Sequence, residues 1–306
     1  MTLQLRIAAP ADLERLRPLL DNEFIFGKGR KVSLANRFPS TFCAANAANI
    51  FLAMEGVQIV SACMAKRFEW LSQGKAWRGA MIGAVYTDPQ RRGQGHGGKL
   101  LQWGTQQLRE ADVQFGVLWT TQHAFYARLG WTAADTGVLG SSQGEEGASA
   151  ACPPPESIRS MPLALSDERK IDMLRQRWLD AFVRREPLDY HQVPVPAEDV
   201  DVLLWMQGRD PAAYALVGRK GDTGIVYEMV GDADGQDAFA ALWSAIRARY
   251  RNIVINDRAG SPAQAWLARQ PGLTWENKAL AMWRPLAHGP EMAEMAQWHI
   301  PYFDRI

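Results

Sequence analysis

The stretch Ile82–Leu101 reads IGAVYTDPQRRGQGHGGKLL. An apolar run of strand character stops at Asp88–Pro89, four glycines follow within six positions, and Leu100 and Leu101 open a helical pattern. A strand-to-helix turn of this kind aims backbone N–H groups at one point, with the positive end of a helix behind them. With no Cβ at Gly93, Gly95, Gly97 and Gly98, an anion can approach the main chain closely. Arg91 and Arg92 add charge in a forked geometry suited to phosphate. The turn is expected to hold a phosphate group.

Two phosphate motifs fit it in part. Gly93, Gly95 and Gly98 satisfy G-x-G-x-x-G, but that chemistry needs an acidic residue at the end of the next strand, where Thr120 and Thr121 stand. Gly93, Gly98 and Lys99 satisfy most of G-x-x-x-x-G-K, but Leu100 replaces the Ser or Thr that would hold Mg²⁺. Each fails at the residue that carries its chemistry.

A third pattern fits better. Arg92-x-x-Gly95-x-Gly97, after Val85-x-x-Asp88-Pro89, resembles the acyl-CoA pyrophosphate loop of the GNAT (Gcn5-related N-acetyltransferase) superfamily. Phe125–Trp131, FYARLGW, is similar to that family's F-Y-x-x-x-G-[FYW] element. The resemblance covers Leu3 to Asp135 well and the second half in outline. It implies an α/β fold with a mixed sheet and acetyl-CoA as cosubstrate, with no metal. Contacts to the cofactor would come from Val85, Tyr86, Thr87, Arg92, Gly93, Gln94, Gly95, His96, Gly97, Gly98 and Thr121. The strand end at Val85–Thr87 would polarise the thioester carbonyl, and Tyr126 would protonate the leaving thiolate. Taken as a spacer within the loop, His96 is expected to face solvent. His123 opens the short helix near the thioester and is weighed between relay and packing; Tyr190 and His191 receive no role.

The flanks carry alternating strand and helix patterns. Leu3–Ala8 reads as a strand, and Leu13, Leu16, Leu19 and Leu20 repeat at helical spacing after Pro10. Ile50–Met54 and Gln58–Phe68 read as strands around Glu55–Gly56, and Ala76–Tyr86 as a third. Gly98–Glu110 is a helix, Phe115–Thr120 a buried strand, and His123–Leu129 a short helix closed by Gly130. Gly140–Ser157, GSSQGEEGASAACPPPES, reads as a linker of small residues and prolines. Strands then recur at Ala212–Val217, Thr223–Val230, Ile253–Asn256 and Ala279–Arg284, with helices at Phe239–Tyr250 and Pro262–Ala268. The expected division is a catalytic domain at 1–139, a linker at 140–157 and a second GNAT-like domain at 158–306.

The second domain is expected to be degenerate. Its equivalent turn, Val230–Ala238, reads VGDADGQDA, and Asp232, Asp234 and Asp237 place negative charge where phosphate needs positive. The whole resembles tandem GNAT proteins of the enhanced-intracellular-survival type without their sterol-carrier-like domain. That resemblance implies N-acetyl transfer to a primary amine of a small molecule or peptide. The other class that stays open is a non-catalytic acyl-CoA-binding sensor.

Composition narrows the field. The 306 residues carry a net charge of +1 and 47% apolar residues, giving no field to steer the chain onto nucleic acid or anionic lipid. Three cysteines, Cys43, Cys63 and Cys152, show no metal spacing. No apolar run reaches spanning length and the amino end lacks a signal-peptide pattern, so a cytoplasmic protein is expected. The strand Met81–Thr87 has no carboxylate to act as base, leaving Asp21, Glu23, Glu55 and Glu69 as candidates without geometry. The end segment QWHIPYFDRI is too apolar to fray and is expected to dock. It covers an interdomain seam, or it reaches the acceptor groove and brings the Ile306 α-carboxylate to the empty base position.

Overall fold

The computed structural model describes residues 2–143, 157–232 and 236–306. In the first half the elements run β1 (Leu3–Ile7), α1 (Asp12–Phe24), α2 (Leu34–Arg37), β2 (Ile50–Glu55), β3 (Gln58–Ser72), β4 (Lys75–Thr87), α3 (His96–Glu110), β5 (Phe115–Trp119), α4 (His123–Ala127), β6 (Thr132–Ala133) and β7 (Gly137–Gln143). The second half runs β8 (Ile158–Pro162), α5 (Glu168–Trp178), β9 (Ala181–Val183), β10 (Asp199–Gln207), β11 (Asp210–Lys220), β12 (Thr223–Val230), α6 (Gln236–Arg249), β13 (Asn252–Arg258), α7 (Pro262–Leu267), β14 (Thr274–Asn277), β15 (Ala281–Pro285) and α8 (Met292–Met295). Apart from α2, β9 and α8, the same order of strands and helices occurs twice, in a mixed α/β fold of two similar units.

Each unit builds a mixed sheet; the first takes β9 and β15 from the second half, and the second takes β7 from the first. The first runs β1-β2-β3-β4-β5-β15-β6, with β9 added alongside β3. The second runs β14-β7-β13-β12-β11-β10-β8. Strand β7 therefore leaves the first half to pair with β13 and β14, and β15 returns to sit between β5 and β6.

This exchange corrects two sequence expectations. Gly140–Gln143 belong to a strand rather than a linker, and residues 144–156 lie outside the described residues. Gly140 looked like linker composition, yet it is glycine because the Trp275 ring lies over it; an added Cβ would sit 2.9 Å from that ring. The strand expected at Ala279–Arg284 completes the first sheet, not the second. A strand's own pattern specifies its pleat, whereas its neighbour is chosen by long-range packing. Here the choice follows the tryptophans. Trp283 is 1% exposed, donates from Nε1 to the Ala134 carbonyl at 2.7 Å, and packs with Phe115 and Trp298 in the first-half core.

Asp135 fastens the crossing. Its carboxylate accepts from the amide of Gly137, where β7 begins, and from those of Leu280 and Ala281, where β15 begins, at 2.9–3.0 Å. Three amides on one carboxylate hold both exchanged strands at their starts.

Candidate active site

The parallel pair β4–β5 is short. Pairing covers Gly79–Met81 against Phe115–Val117, and beyond Met81 the strands part. On its other edge β4 bulges against β3, the register slipping between Ala62 and Met64 so that Ala84 and Val85 oppose Cys63. Ala84 takes a left-handed φ of 46° to make this turn. Bulge and parting together leave the main chain of Ile82–Thr87 turned to an opening without a β5 partner.

The glycine turn lies at the far end of that opening. Asp88 caps a single 3₁₀ turn by accepting from the Gln90 amide at 2.9 Å. Gly93 and Gly95 adopt φ of 81° and 78°, conformations that side chains other than glycine rarely take. Helix α3 starts at His96, and Gly97 sits so close to Thr87 that a Cβ would come 3.0 Å from Oγ1. Arg92 is exposed, donates from Nε to the Thr87 carbonyl at 3.2 Å and pairs with Glu23 at 2.9 Å. Arg92, Gly93 and Gly95 are exposed just before the start of α3, an arrangement whose backbone N–H groups suit an anion.

Tyr126 stands on the face covered by α3, packed with Val85, Phe125 and Leu129 in one apolar cluster. Burial is the main cause that pushes its phenol up to about 12, with the neighbouring Cys63 thiol adding to it. It therefore remains a proton donor throughout the neutral range. Val85 and Tyr126 pack on one apolar cluster, and Thr87 lies against Gly97 and Arg92 of the glycine turn. His96 is a correction: it is 7% exposed and lies 3.7 Å from Glu55 and 3.2 Å from the Gln94 side chain, not in solvent. The helix starts at His96, two residues earlier than the expected Gly98, which takes His96 into the helix and inward.

The opposite face of the bulge looks into a cavity of about 660 Å³. Gly83 and Ala84 form its floor, Trp119, Thr120 and Thr121 one wall, and Phe24, Ile25, Phe38 and Phe42 another. Its charged side chains are Arg30 and Arg305, with no carboxylate side chain among the described residues, and Ile306 lines it as well. The candidate bases found from sequence are engaged elsewhere. Asp21 accepts the Leu34 amide at 2.7 Å, Glu23 binds Arg92, Glu55 binds Arg91 at 3.0 Å, and Glu69 binds Arg184 at 2.6 Å.

The tail does reach this site. An added Cβ on Gly83 would stand 3.0 Å from the main-chain oxygen of Ile306. A buried charge network anchors it: Asp304 binds Arg185 at 2.6 Å and lies 3.6 Å from Arg175, while Glu228 binds Arg185 at 3.0 Å. Sequence reasoning missed Arg305 and Tyr302, which the docked tail brings to the cavity, and Trp119, which lines it from the end of β5.

Residues 30–134 match the family model described as an acetyltransferase (GNAT) domain. The first half thus matches a GNAT domain, and the chain as a whole has the fold of tandem GNAT proteins. A GCN5-related N-acetyltransferase from Anabaena variabilis superposes with a TM-score of 0.70 at 16% identity, over 93% of this chain and 73% of that one. Eis1 from Mycobacterium abscessus does so at 0.63 and 13%, over 93% and 73%. A tandem GNAT protein from the clavulanic acid biosynthesis pathway gives 0.53 and 13%, over 95% and 100%. No curated protein matches the sequence. Among the described residues, no helix is long and apolar enough to cross a membrane, and no group of His, Cys, Asp and Glu is placed to hold a metal.

Proposed function

We propose that the chain is a cytoplasmic N-acyltransferase that moves an acetyl group from acetyl-CoA to a primary amine of a small molecule or peptide. One observation supports this reading: the β4 bulge and the parting of β4 from β5 lie between the face that packs Tyr126 and a partly open, largely apolar cavity on the other. Arg92–Gly98 hold the pyrophosphate on backbone amides and a helix start. The pantetheine arm runs along Val85–Thr87, extending the sheet where β5 has turned away, with Thr121 beside its thioester end. A main-chain N–H at the bulge accepts the developing oxyanion. The amine, entering from the cavity, attacks the carbonyl carbon; the C–S bond breaks as the C–N bond forms, and Tyr126 gives its proton to the sulfur. The ammonium proton released at nitrogen returns through water to the phenolate, so no proton is gained or lost at the enzyme.

One observation favours the second reading, a non-catalytic acyl-CoA sensor: no carboxylate side chain lines the cavity to take the amine proton. Calorimetric titration with acetyl-CoA, paired with thiol release on a panel of amines, separates the two. Binding with turnover supports the transferase, binding with no turnover on any amine supports the sensor, and absence of binding removes both.

A further inference from the structure

Resting on the transferase reading above, we propose that the acceptor is an amine carrying a carboxylate on an apolar body, and that Arg305 binds this carboxylate in the cavity. Arg305 is 7% exposed and lines the cavity beside Gly83. Its hydrogen bond in the structure comes from Nε, which donates to the Ile300 carbonyl at 3.0 Å. The guanidinium lies 5.0 Å from the Trp119 ring centre and 5.4 Å from that of Tyr302, two other cavity residues.

The carboxylates nearest to it are already committed. Asp304 gives both oxygens to Arg185, and Asp135 gives its oxygens to three amides. No described carboxylate lies within the 4.0 Å of an ion pair with Arg305. Asp135 and Asp304 reach Arg305 only through their field. A buried guanidinium with no carboxylate in ion-pair contact is costly, whereas one completed by a bidentate carboxylate is a strong recognition element. The ring contacts on Trp119 and Tyr302 hold its plane ready for that fork.

The rest of the cavity agrees. Its wall of Phe24, Phe38 and Phe42 offers burial to an aromatic or long aliphatic body. A polyamine entering it would meet Arg30 and Arg305 and no carboxylate side chain, so polycationic acceptors are disfavoured. A nearby guanidinium also shifts a bound ammonium toward the free amine, the form that attacks. The step then balances: nitrogen bonds to the acetyl carbon, sulfur leaves with the C–S electron pair, and the proton lost by nitrogen is matched by one gained by CoA.

The test uses the full chain with matched acceptors differing in the carboxylate, tryptophan against tryptamine and phenylalanine against phenethylamine, with spermidine as the polycation. The carboxylate-bearing member should show about tenfold or greater kcat/KM, as expected for a charged hydrogen-bonded pair. In Arg305→Gln that ratio should collapse toward one, mostly through KM, with acetyl-CoA affinity unchanged. Should Arg305→Gln not fold, the wild-type protein still answers. Here 3-phenylpropionate, which has no amine, should raise Tm and compete with acceptor, and 3-phenylpropanol should do neither. Equal or better turnover of tryptamine or spermidine, or equal binding of the alcohol, overturns the proposal. Acetyl-CoA binding without turnover on any amine would count against the transferase reading alone, because 3-phenylpropionate binding still reports on Arg305.

Discussion

Two parallel strand pairs, β4–β5 and β12–β13, part in the same way, yet one leads to a cavity of about 660 Å³ and the other to one of about 80 Å³. Both fourth strands bulge against the third, at Ala62/Met64 in the first half and at Leu216/Val217 in the second. The side chains at the bulge make the difference. In the first half Gly83 and Ala84 leave room. In the second, Tyr227 is 1% exposed, donates to the Pro194 carbonyl at 3.1 Å and stacks on Tyr302, while the next residue, Glu228, is consumed by Arg185 and Tyr214. A duplicated topology thus supplies two frames, and only side-chain volume and charge at the bulge turn one into a site. The filled frame is not idle: its ion network holds the tail that walls the open one.

The largest test of this contrast is at the two strand-to-helix turns. Gly97→Asp adds a carboxylate in the first turn of α3, where it suits the helix but repels pyrophosphate, so acetyl-CoA affinity should fall by about 100-fold or more, with a modest loss of Tm from the 3.0 Å approach to Thr87 Oγ1. Gly95→Asp should act alike, with added strain from its φ of 78°. In the second half Asp237 is exposed at the start of α6, and Asp237→Asn should leave acetyl-CoA affinity unchanged. Asp234, the natural partner in this comparison, lies outside the described residues. Calorimetry on the folded variants decides; undiminished binding in Gly97→Asp would dissolve the contrast.

Next is Tyr126. A thiolate leaves tolerably unaided, so Tyr126→Phe should reduce kcat by about 10², the low end for general acid catalysis, with acetyl-CoA affinity unchanged. Because burial pushes the phenol up to about 12, kcat in the wild type should not fall on the alkaline side until well above pH 10. An alkaline limb near pH 8 that survives in Tyr126→Phe belongs to another group.

A third test concerns the exchanged strands that join the halves. Burial raises the Asp135 carboxyl, but the hydrogen-bonding His299 side chain, the Arg305 charge and the Ala281 amide outweigh it and hold the group at about 2. With the unfolded value near 3.8, its contribution is fully present above about pH 4 and lost as pH falls toward 2. Asp135→Asn should therefore cost on the order of 2 kcal/mol at neutral pH and flatten the acid limb of stability. Equal losses at pH 7 and pH 2.5 would contradict that linkage.

What the sequence disclosed was what is local. The glycine turn and FYARLGW are contiguous, and each requires its residue types whatever lies around it, so the turn, α3, β5 and α4 were all legible. The strand exchange was not, because Gly140 and Trp283 are explained only by rings from residues far along the chain. Nor was the absence of a free carboxylate. Asp21, Glu23, Glu55 and Glu69 look alike in sequence, and only their partners show that none turns to the cavity. Arg305 was hidden for the same reason: its meaning depends on which neighbouring acids are already taken.

The smallest expected effect tests whether the tail is part of the open frame or merely rests on it. Gly83→Ala would put a Cβ 3.0 Å from the Ile306 oxygen, 3.1 Å from its Cγ1 and 3.2 Å from its carbonyl carbon. Those contacts are tighter than side chains normally tolerate, so the last residue must yield by a few tenths of an ångström while the bulge keeps its register. Acceptor KM should rise by about threefold, within the range seen when packed neighbours shift, and acetyl-CoA affinity, set on the other face of β4, should hold. Trimming the partner with Ile306→Ala removes the Cγ1 contact, so in the double variant part of the KM change should be recovered, a non-additivity expected only of residues that touch. In the second half Val226 holds the corresponding register position before the bulge and is 2% exposed in that core. Val226→Ala should lower Tm and leave KM untouched. If Gly83→Ala likewise moves Tm alone, the tail is packing at both bulges, and the two frames differ in volume but not in what the end of the chain does for them.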